Sequence, residues 1–594
     1  MSTPPVNQFP PIGPKKDKFT PELRILVASL LSIAVIILWT KYFGPKPPAH
    51  VPQQNQPGVS APATTGTSAP TSAPDELIPS TTPSTVSTPA PPAALRTEDT
   101  QERTIVVENA LYRVEFSNRG AVVKSWQLKK YKDDAKPQRT LDLVHAESAA
   151  KTGGWPFSLV FEDPRLEKAA NTGLYKISSD SASLEAPTDL TFKWSDGHLE
   201  VIKKFHFDHS YIVGVEATTS YNGAHVLAGL AWRGGFGDMT VTNPAPITTV
   251  MTFYSEGGKL TTVGYKKLDS PEKWGNVWQG GKTFSGIEDR YFAVTFLPPS
   301  DALSTTQETR YWKVWDMTTV DGKEESEAVP EVATATSAQP MSLRVFVGPK
   351  DYDLLKKLNP PLHALVNFGW LEVIADPLFH GLKWLHEYIP NWGWSIVVLT
   401  LVINMVFFPL RISSYKTTLK MQRVGPVIKQ IQEKYKKYKM NDPRKAEMNK
   451  EIMAIYSREG INPVGGCIPQ LLQMPIWFGL WRALQGTIEL RHAPWFGWIT
   501  DLSAKDPYYI LPVLMGVSMY LASKMTPMPT ADAQQAQMMK FMPIAMAGMF
   551  MIVPYPSGVA VYILTSGLIN ILQQWYLNRT HPLPAPVKPV RAKK

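Results

Sequence analysis

Residues 391–412 read NWGWSIVVLTLVINMVFFPLRI. The run is long and apolar enough to cross a bilayer as a helix. Three polar residues interrupt it: Thr400, Asn404 and Arg411, spaced four and seven apart. At about 100° per residue they share one helix face. Polar groups in hydrocarbon need partners or water, and a span turned only to lipid has no use for such a stripe. The stripe is predicted to face other helices or a wetted cavity, and that cavity to be the working part of the protein.

The bulk numbers surround this span with more than membrane. The chain has 594 residues and a net charge of +10, and its mean hydropathy of −0.15 is too polar for a wholly membranous protein. A soluble part and a membrane part are expected. The positive balance invites a nucleic-acid reading. The basic residues, however, gather beside apolar runs, where they mark the cytoplasmic side. The single cysteine, Cys467, excludes an intramolecular disulfide, and with no partner or base nearby in sequence it is assigned to packing. A soluble domain must therefore fold on its core alone, which about 250 residues allow.

Upstream, residues 1–24 are proline-rich and basic, a cytoplasmic N-terminus. Residues 25–43 form an apolar run ending in Trp39, Lys41 and Tyr42 without a small-residue cleavage site, which predicts an uncleaved signal anchor. Residues 44–102 are mostly Pro, Ala, Thr, Ser and Gln, a composition that buries no core and reads as a tether. From 103 to 350 the pattern alternates. Residues 104–107, 112–116, 122–128, 199–207, 211–215 and 343–347 read as strands, and the region as a large all-β sandwich beyond the membrane. His198, His206 and His209 cluster there with Glu200 and Asp208. On a strand, His206 and Asp208 share a face, which suits acid–base work; the alternative is solvated strand and turn positions. Gly275 and the later Gly281-Lys282-Thr283 imitate a phosphate loop, but one residue too long and in the outer β region. Residues 351–390 return to a helical stripe rich in Trp, interrupted by Pro377 and Gly381, and suit an amphipathic helix in the membrane interface.

Downstream, residues 413–460 are strongly basic, with Lys429, Lys434, Lys436, Lys437 and Arg444 among the cations. Val424, Ile428, Ile431 and Tyr435 recur at helical spacing, Asp442-Pro443 is a helix start and Gly460 a helix stop. A cytoplasmic helical hairpin of coiled-coil type is predicted. Its charge fits ribosomal RNA, anionic head groups or the positive-inside rule alone. Four more spans are predicted within 464–577, near 464–485, 508–523, 538–553 and 559–577, followed by a basic cytoplasmic tail, 578–594. Six spans with both termini inside put the β region outside.

Several separated motifs then become specific: Gly465-Gly466-Cys467-Ile468-Pro469, Gln473-Met474-Pro475-Ile476, Glu489-Leu490-Arg491, Asp506-Pro507-Tyr508-Tyr509-Ile510-Leu511-Pro512 and Pro556-Ser557-Gly558. In order and spacing they resemble the YidC/Oxa family of membrane protein insertases over about residues 360–580. The anchor, tether and β region match the layout of the family's Gram-negative members, whose outer domain looks like a mutarotase-type supersandwich. The resemblance implies a multi-domain protein of the bacterial inner membrane. A polytopic helical domain, five of its six spans forming the insertase core, would carry a periplasmic supersandwich. It implies no enzyme activity and no cofactor or metal. The implied partners are nascent membrane proteins, the Sec translocon, the ribosome and the phospholipid bilayer.

The family's mechanism implies a hydrophilic groove open to cytoplasm and lipid and closed to the outside. The family places an arginine in its second span; aligned on Pro409-Leu410, that position is Asn404 here. The nearest charge on the same face is Arg411, with a snorkelling interfacial residue as its alternative reading; Arg482 in the third span suits a snorkeller better. Gln473, Tyr562, Thr565 and Ser566 are placed on the groove wall with Thr400, Asn404 and Arg411, or serve as glue between helices. The Met-rich fifth span, from Met538 to Met551, is either an adaptable substrate surface or ordinary lipid packing. Two other classes stay open. A small-solute transporter predicts inverted repeats or broken helices, and a membrane-tethered sugar-modifying enzyme predicts a converging pocket in the β domain.

Overall fold

The structure is a computed structural model that describes residues 95–238, 240, 250–264, 267–268, 277–303, 306–320, 323–338, 340–366, 368, 371–438, 442–462, 468–526, 533–553 and 555–582. The signal anchor, the tether up to residue 94, Cys467, the glycines at 275, 465 and 466, and the tail from 583 lie outside the described residues.

The alternation of the β region becomes three sheets, all their strand pairs antiparallel except Thr104–Glu108 with Ser183–Glu185. One five-stranded sheet centres on Tyr112–Ser117. A ten-stranded sheet runs through Met341–Pro349, Ile212–Tyr221 and Leu199–Phe207. A second five-stranded sheet is built on the long hairpin Gln307–Val320 and Lys323–Ala335. In Leu199–Phe207 the odd-numbered side chains are buried and the even ones are partly or fully exposed, the period-two pattern of a half-buried strand. The large sheet packs on both small ones: Phe116 meets Phe205 at 5.0 Å between ring centres, and the hydroxyls of Ser285 and Thr334 meet at 2.6 Å. Trp126 and Trp232, 6.4 Å apart, join the two small sheets. The domain starts before residue 103, because Thr97 already pairs with Ser195 and the Asp99 amide bonds to the Leu174 carbonyl.

Two short helices, α1 (Ala146–Thr152) and α2 (Pro164–Thr172), interrupt the sheets. Helical structure resumes with α3 (Tyr352–Lys357) and α4 (Glu372–Tyr388). Pro377 lies inside α4 without ending it. The helix exposes Val373, Trp384 and Tyr388 and buries Ala375, Phe379 and Leu382.

Then comes α5 (Trp392–Lys434), a single helix of 43 residues. The boundary expected at 412/413 is therefore a change of surroundings within one helix. Pro409 and Pro426 stand inside it. The basic hairpin closes with α6 (Pro443–Arg458), whose first turn is capped by the Asp442 carboxylate accepting from the Arg444 amide at 3.0 Å. Its end is a Schellman motif. Gly460 takes φ +61°, the Ile461 amide reaches the Tyr456 carbonyl and the Gly460 amide the Ser457 carbonyl. Ile461 then packs with Ile455 and Tyr456 against Val424 and Ile428.

The remaining helices are α7 (Ile468–Gly486), α8 (Ile510–Met525), α9 (Ala533–Ile552) and α10 (Ser557–Thr580). With α5 they share a core of Ile396, Leu399, Ile403, Leu480, Leu484, Met515, Phe550, Val559 and Tyr562. Their outer faces are apolar too. Leu401, Val402, Met405 and Val406 of α5, Val513, Leu514 and Val517 of α8, Ile544 of α9 and Leu568 and Leu572 of α10 are all exposed. Water does not tolerate an apolar exterior of this extent, whereas lipid does. Among the described helices, α5 is long and apolar enough by itself to cross a membrane, and α8 is a shorter apolar helix.

Candidate functional site: a polar seam in the helical bundle

Within the apolar bundle, one line of polar side chains is buried beneath an apolar exterior. On α5, Thr400 and Asn404 are buried while Leu401, Val402, Met405 and Val406 face out. The Thr400 hydroxyl donates to the Ile396 carbonyl at 2.6 Å, and the Asn404 amide donates to the Thr400 carbonyl at 2.8 Å and approaches the Ser566 hydroxyl at 3.5 Å. Tyr562 and Ser566 of α10 are buried on the same side.

Farther along, the half-buried Arg411 turns to α10. Its guanidinium donates to the side-chain oxygen of Asn570, to the Gln573 oxygen at 3.2 Å and to the Asn570 carbonyl at 3.3 Å. Gln573 also donates to the Asn404 main-chain carbonyl at 3.2 Å. One turn on, the Tyr415 hydroxyl donates to Asn578 at 2.8 Å, and Asn578 donates to the Met525 carbonyl at the end of α8 at 3.0 Å. A polar seam thus runs between α5 and α10 from Thr400 to Asn578.

Of the residues assigned to the groove from sequence, Thr400, Asn404, Arg411, Tyr562 and Ser566 lie on this seam. Thr565 and Gln473 are half-buried on α10 and α7 and make no hydrogen bond to a described residue. Arg482 is exposed. Asn570, Gln573 and Asn578 were missed by the sequence reading. The signal was there, since Ser566, Asn570, Gln573 and Asn578 recur at three- to five-residue spacing within an apolar run.

In the hairpin, Lys434 pairs with Glu451 at 2.9 Å across α5 and α6. Lys429, Lys436, Lys437 and Arg444 are exposed.

The histidine cluster of the β domain disperses. His206 bonds Asp189 on the neighbouring strand at 2.5 Å, His198 bonds Asn222 at 2.9 Å, Asp208 accepts from the Ser210 amide and hydroxyl, and Glu200 pairs with Lys193. Strand register sets the His206 partner, while Asp208 is taken up by the turn that follows its strand. His206 and Asp208 have separate partners, so these residues form no pocket of converging acid and base and the expected acid–base pair is not made.

The loop after α7 fastens the two halves together. Arg491 enters the base of the β domain, where it pairs with Asp238 and donates to the Lys132 carbonyl at 2.9 Å. Its guanidinium lies 5.4 Å from the Tyr291 ring centre and 5.3 Å from that of Phe292. His492 bonds Asp134 at 2.7 Å. Burial alone would raise the Asp134 carboxyl, but the His492 hydrogen bond and the Arg491 charge hold it below the usual range. Lys383 of α4 reaches Asp353 at 2.6 Å and Glu489 at 3.3 Å, and burial raises the Glu489 carboxyl. The ligand atoms of Asp134, His492 and Asp501 lie within 4.8 Å of one another. Arg491 stands 3.6 Å from Asp134, so a fixed positive charge already lies beside one of these carboxylates.

With this geometry in hand, comparisons with known proteins agree over nearly the whole chain. The family described as 60Kd inner membrane protein matches residues 384–584, and the YidC periplasmic domain matches residues 104–381. The membrane protein insertase YidC of Citrifermentans bemidjiense is 32% identical over 600 residues, covering 94% of this chain and 99% of the relative. That of Geotalea daltonii is 31% identical over 581 residues, covering 94% and 100%. The chain belongs to the YidC family of membrane protein insertases. A crystal structure of an active YidC insertase with its first transmembrane domain resolved is 19% identical, covering 82% of this chain and 95% of that one, with a TM-score of 0.34.

Moving a span from water to lipid makes and breaks no covalent bond, so the family's task calls for polarity and shape where an enzyme would need a nucleophile. The β region, matched as the family's periplasmic domain, and the helical region, matched as its membrane part, meet at Arg491.

Proposed function

We propose that the chain inserts integral proteins into the bacterial inner membrane by lodging a client's polar segment against the seam of α5 and α10 while the client's apolar span leaves along the greasy exterior. In this reading the membrane domain has six spans. One is the N-terminal anchor at 25–43, and α5, α7, α8, α9 and α10 form the insertase core. Both termini are cytoplasmic and the β domain, a supersandwich, is periplasmic. The observation that carries the reading is the Arg411 charge, held inside an apolar bundle by the neutral side chains of Asn570 and Gln573.

The energetics need no motor. Each Leu or Ile in a span contributes about −0.5 kcal/mol and a central charge costs about 2.5–3.5 kcal/mol, so a span of about twenty apolar residues enters downhill by order ten kcal/mol. What slows it is the polar tail that must cross. A polar half-channel lowers that barrier for short tails, and the membrane potential helps acidic ones. The basic hairpin, with Lys429, Lys434, Lys436, Lys437 and Arg444, suits the ribosome and anionic head groups, and the Sec translocon is a partner for clients with long outer domains.

Reconstitution into liposomes with a short single-span client tests this. Insertion above that of empty vesicles is expected, and its absence sinks the proposal. Arg411→Ala and Asn404→Ala, singly and together, should each lower the yield; unchanged insertion in all three removes the seam from the mechanism.

A further inference from the structure

Arg411 is a cation in a low-dielectric place, and its immediate partners are chosen in an unusual way. Among the described residues no carboxylate lies within ion-pair distance of it. Its donors go to two carboxamides and a backbone carbonyl. Neutral acceptors satisfy N–H groups without cancelling the charge, whereas a carboxylate would do both. Two of the five guanidinium N–H groups are left without a described partner, so the charge keeps both its field and free donors.

Gln573 is the residue that links this charge to the backbone of α5 at Asn404. Pro409 has no amide to give the Met405 carbonyl, so α5 lacks one rung of its ladder there. One residue earlier, Gln573 donates, at 3.2 Å, to the Asn404 carbonyl, while its own oxygen accepts from Arg411 at 3.2 Å. One carboxamide therefore ties the backbone of α5 to the guanidinium almost two turns later. Asn570, a turn earlier on α10, holds the other side of the guanidinium.

We propose that Gln573 is a positioning residue for client selection: bridging the Asn404 carbonyl and Arg411, it holds the guanidinium at the seam, uncompensated, so that clients with an acidic residue in the translocated tail are favoured. The inference rests on the seam reading above and adds the device that lets a charge at 411 serve where position 404 is neutral.

The test uses the full chain in liposomes and two single-span clients that differ only in one tail residue, Asp or Asn. The readout is the ratio of the two insertion yields. Gln573→Met keeps the length and packing but drops the bridge; the Asp-to-Asn ratio should fall about tenfold, the order of a lost charge-assisted contact, with the Asn-tailed client little changed. Gln573→Glu keeps the acceptor and cancels the charge, and should lower the ratio in the same way. Adding Arg411→Gln to Gln573→Met should lower it no further. An unchanged ratio in Gln573→Met while Arg411→Gln alone lowers it overturns the positioning role and leaves the seam reading standing. An equal loss with both clients also overturns it, since Gln573 then only holds two helices together. An unchanged ratio in Arg411→Gln overturns both the inference and the use of Arg411 in the seam.

Discussion

Arg491 and Asp238 form an ion pair with side chains only 3% and 2% exposed, although one belongs to the loop after α7 and the other to the β domain. Removing one partner of such a pair leaves a buried charge alone, at a cost of about 3–5 kcal/mol. Arg491→Ala should therefore release the β domain from the helical half while each half keeps its own core. Hydrogen exchange in the full chain is expected to speed up at 131–134 and 486–493 and to stay slow in the Leu199–Phe207 strand. Unchanged exchange at the junction would show that the pair does not hold it.

Lys203 predicts a pH dependence. It is fully buried in the β core, donating to the carbonyls of Gly120, Ala121 and Phe157 at 2.8, 3.1 and 2.8 Å, and burial lowers its ammonium to about 7 from an ordinary 10.5. Between those values the unfolded chain holds this proton and the folded chain has lost it, so stability rises with pH through that window, by at most about 1.4 kcal/mol per unit. Below about 7 both states are charged and the burial penalty is fully present. Exchange protection around 120–123 should increase from pH 7 to 9.5 relative to Lys203→Met, and equal slopes in the two proteins would remove the assignment.

Gly393 opens α5 beneath an aromatic lid. A Cβ there would stand 2.0 Å from Trp495, so Gly393→Ala must push the outer loop away. The better helix propensity of Ala returns about 1 kcal/mol against an overpacking cost of about 1–3 kcal/mol or more. A lowered Tm in detergent is expected, and a raised one would show that Trp495 yields freely.

Asp442 caps the first turn of α6. Asp442→Ala should cost about 1 kcal/mol, visible as faster exchange in the first turn after Pro443, with the α5 end of the hairpin unaffected. Equal protection in both proteins would mean that the turn is held by packing on Val424 and Ile428.

Local pattern carried much of this fold. Leu199–Phe207 shows its strand by alternation at all but Ile202 and Lys203, and Asp442-Pro443 and Gly460 show their helix ends because caps depend on neighbours in sequence. What escaped depended on distance or on a change of solvent. Asp189 stands opposite His206 only after two strands pair. The unity of α5 was hidden because its residues turn from apolar to basic at 412 while the backbone continues. Asn570 and Gln573 become functional candidates only when α10 packs against α5 and brings them to Arg411, although their spacing on the last span is legible.

The length of α5 has a mechanical meaning. Forty-three residues make a rod of about 65 Å, roughly twice the hydrocarbon thickness, with Asn404 inside the bundle and Lys434 at its far tip. A sideways load on the basic tip becomes torque on the seam, with Pro426 and Pro409 as the points of give. In the proposed reading, the end that meets arriving cargo and the place that receives it are joined by one lever.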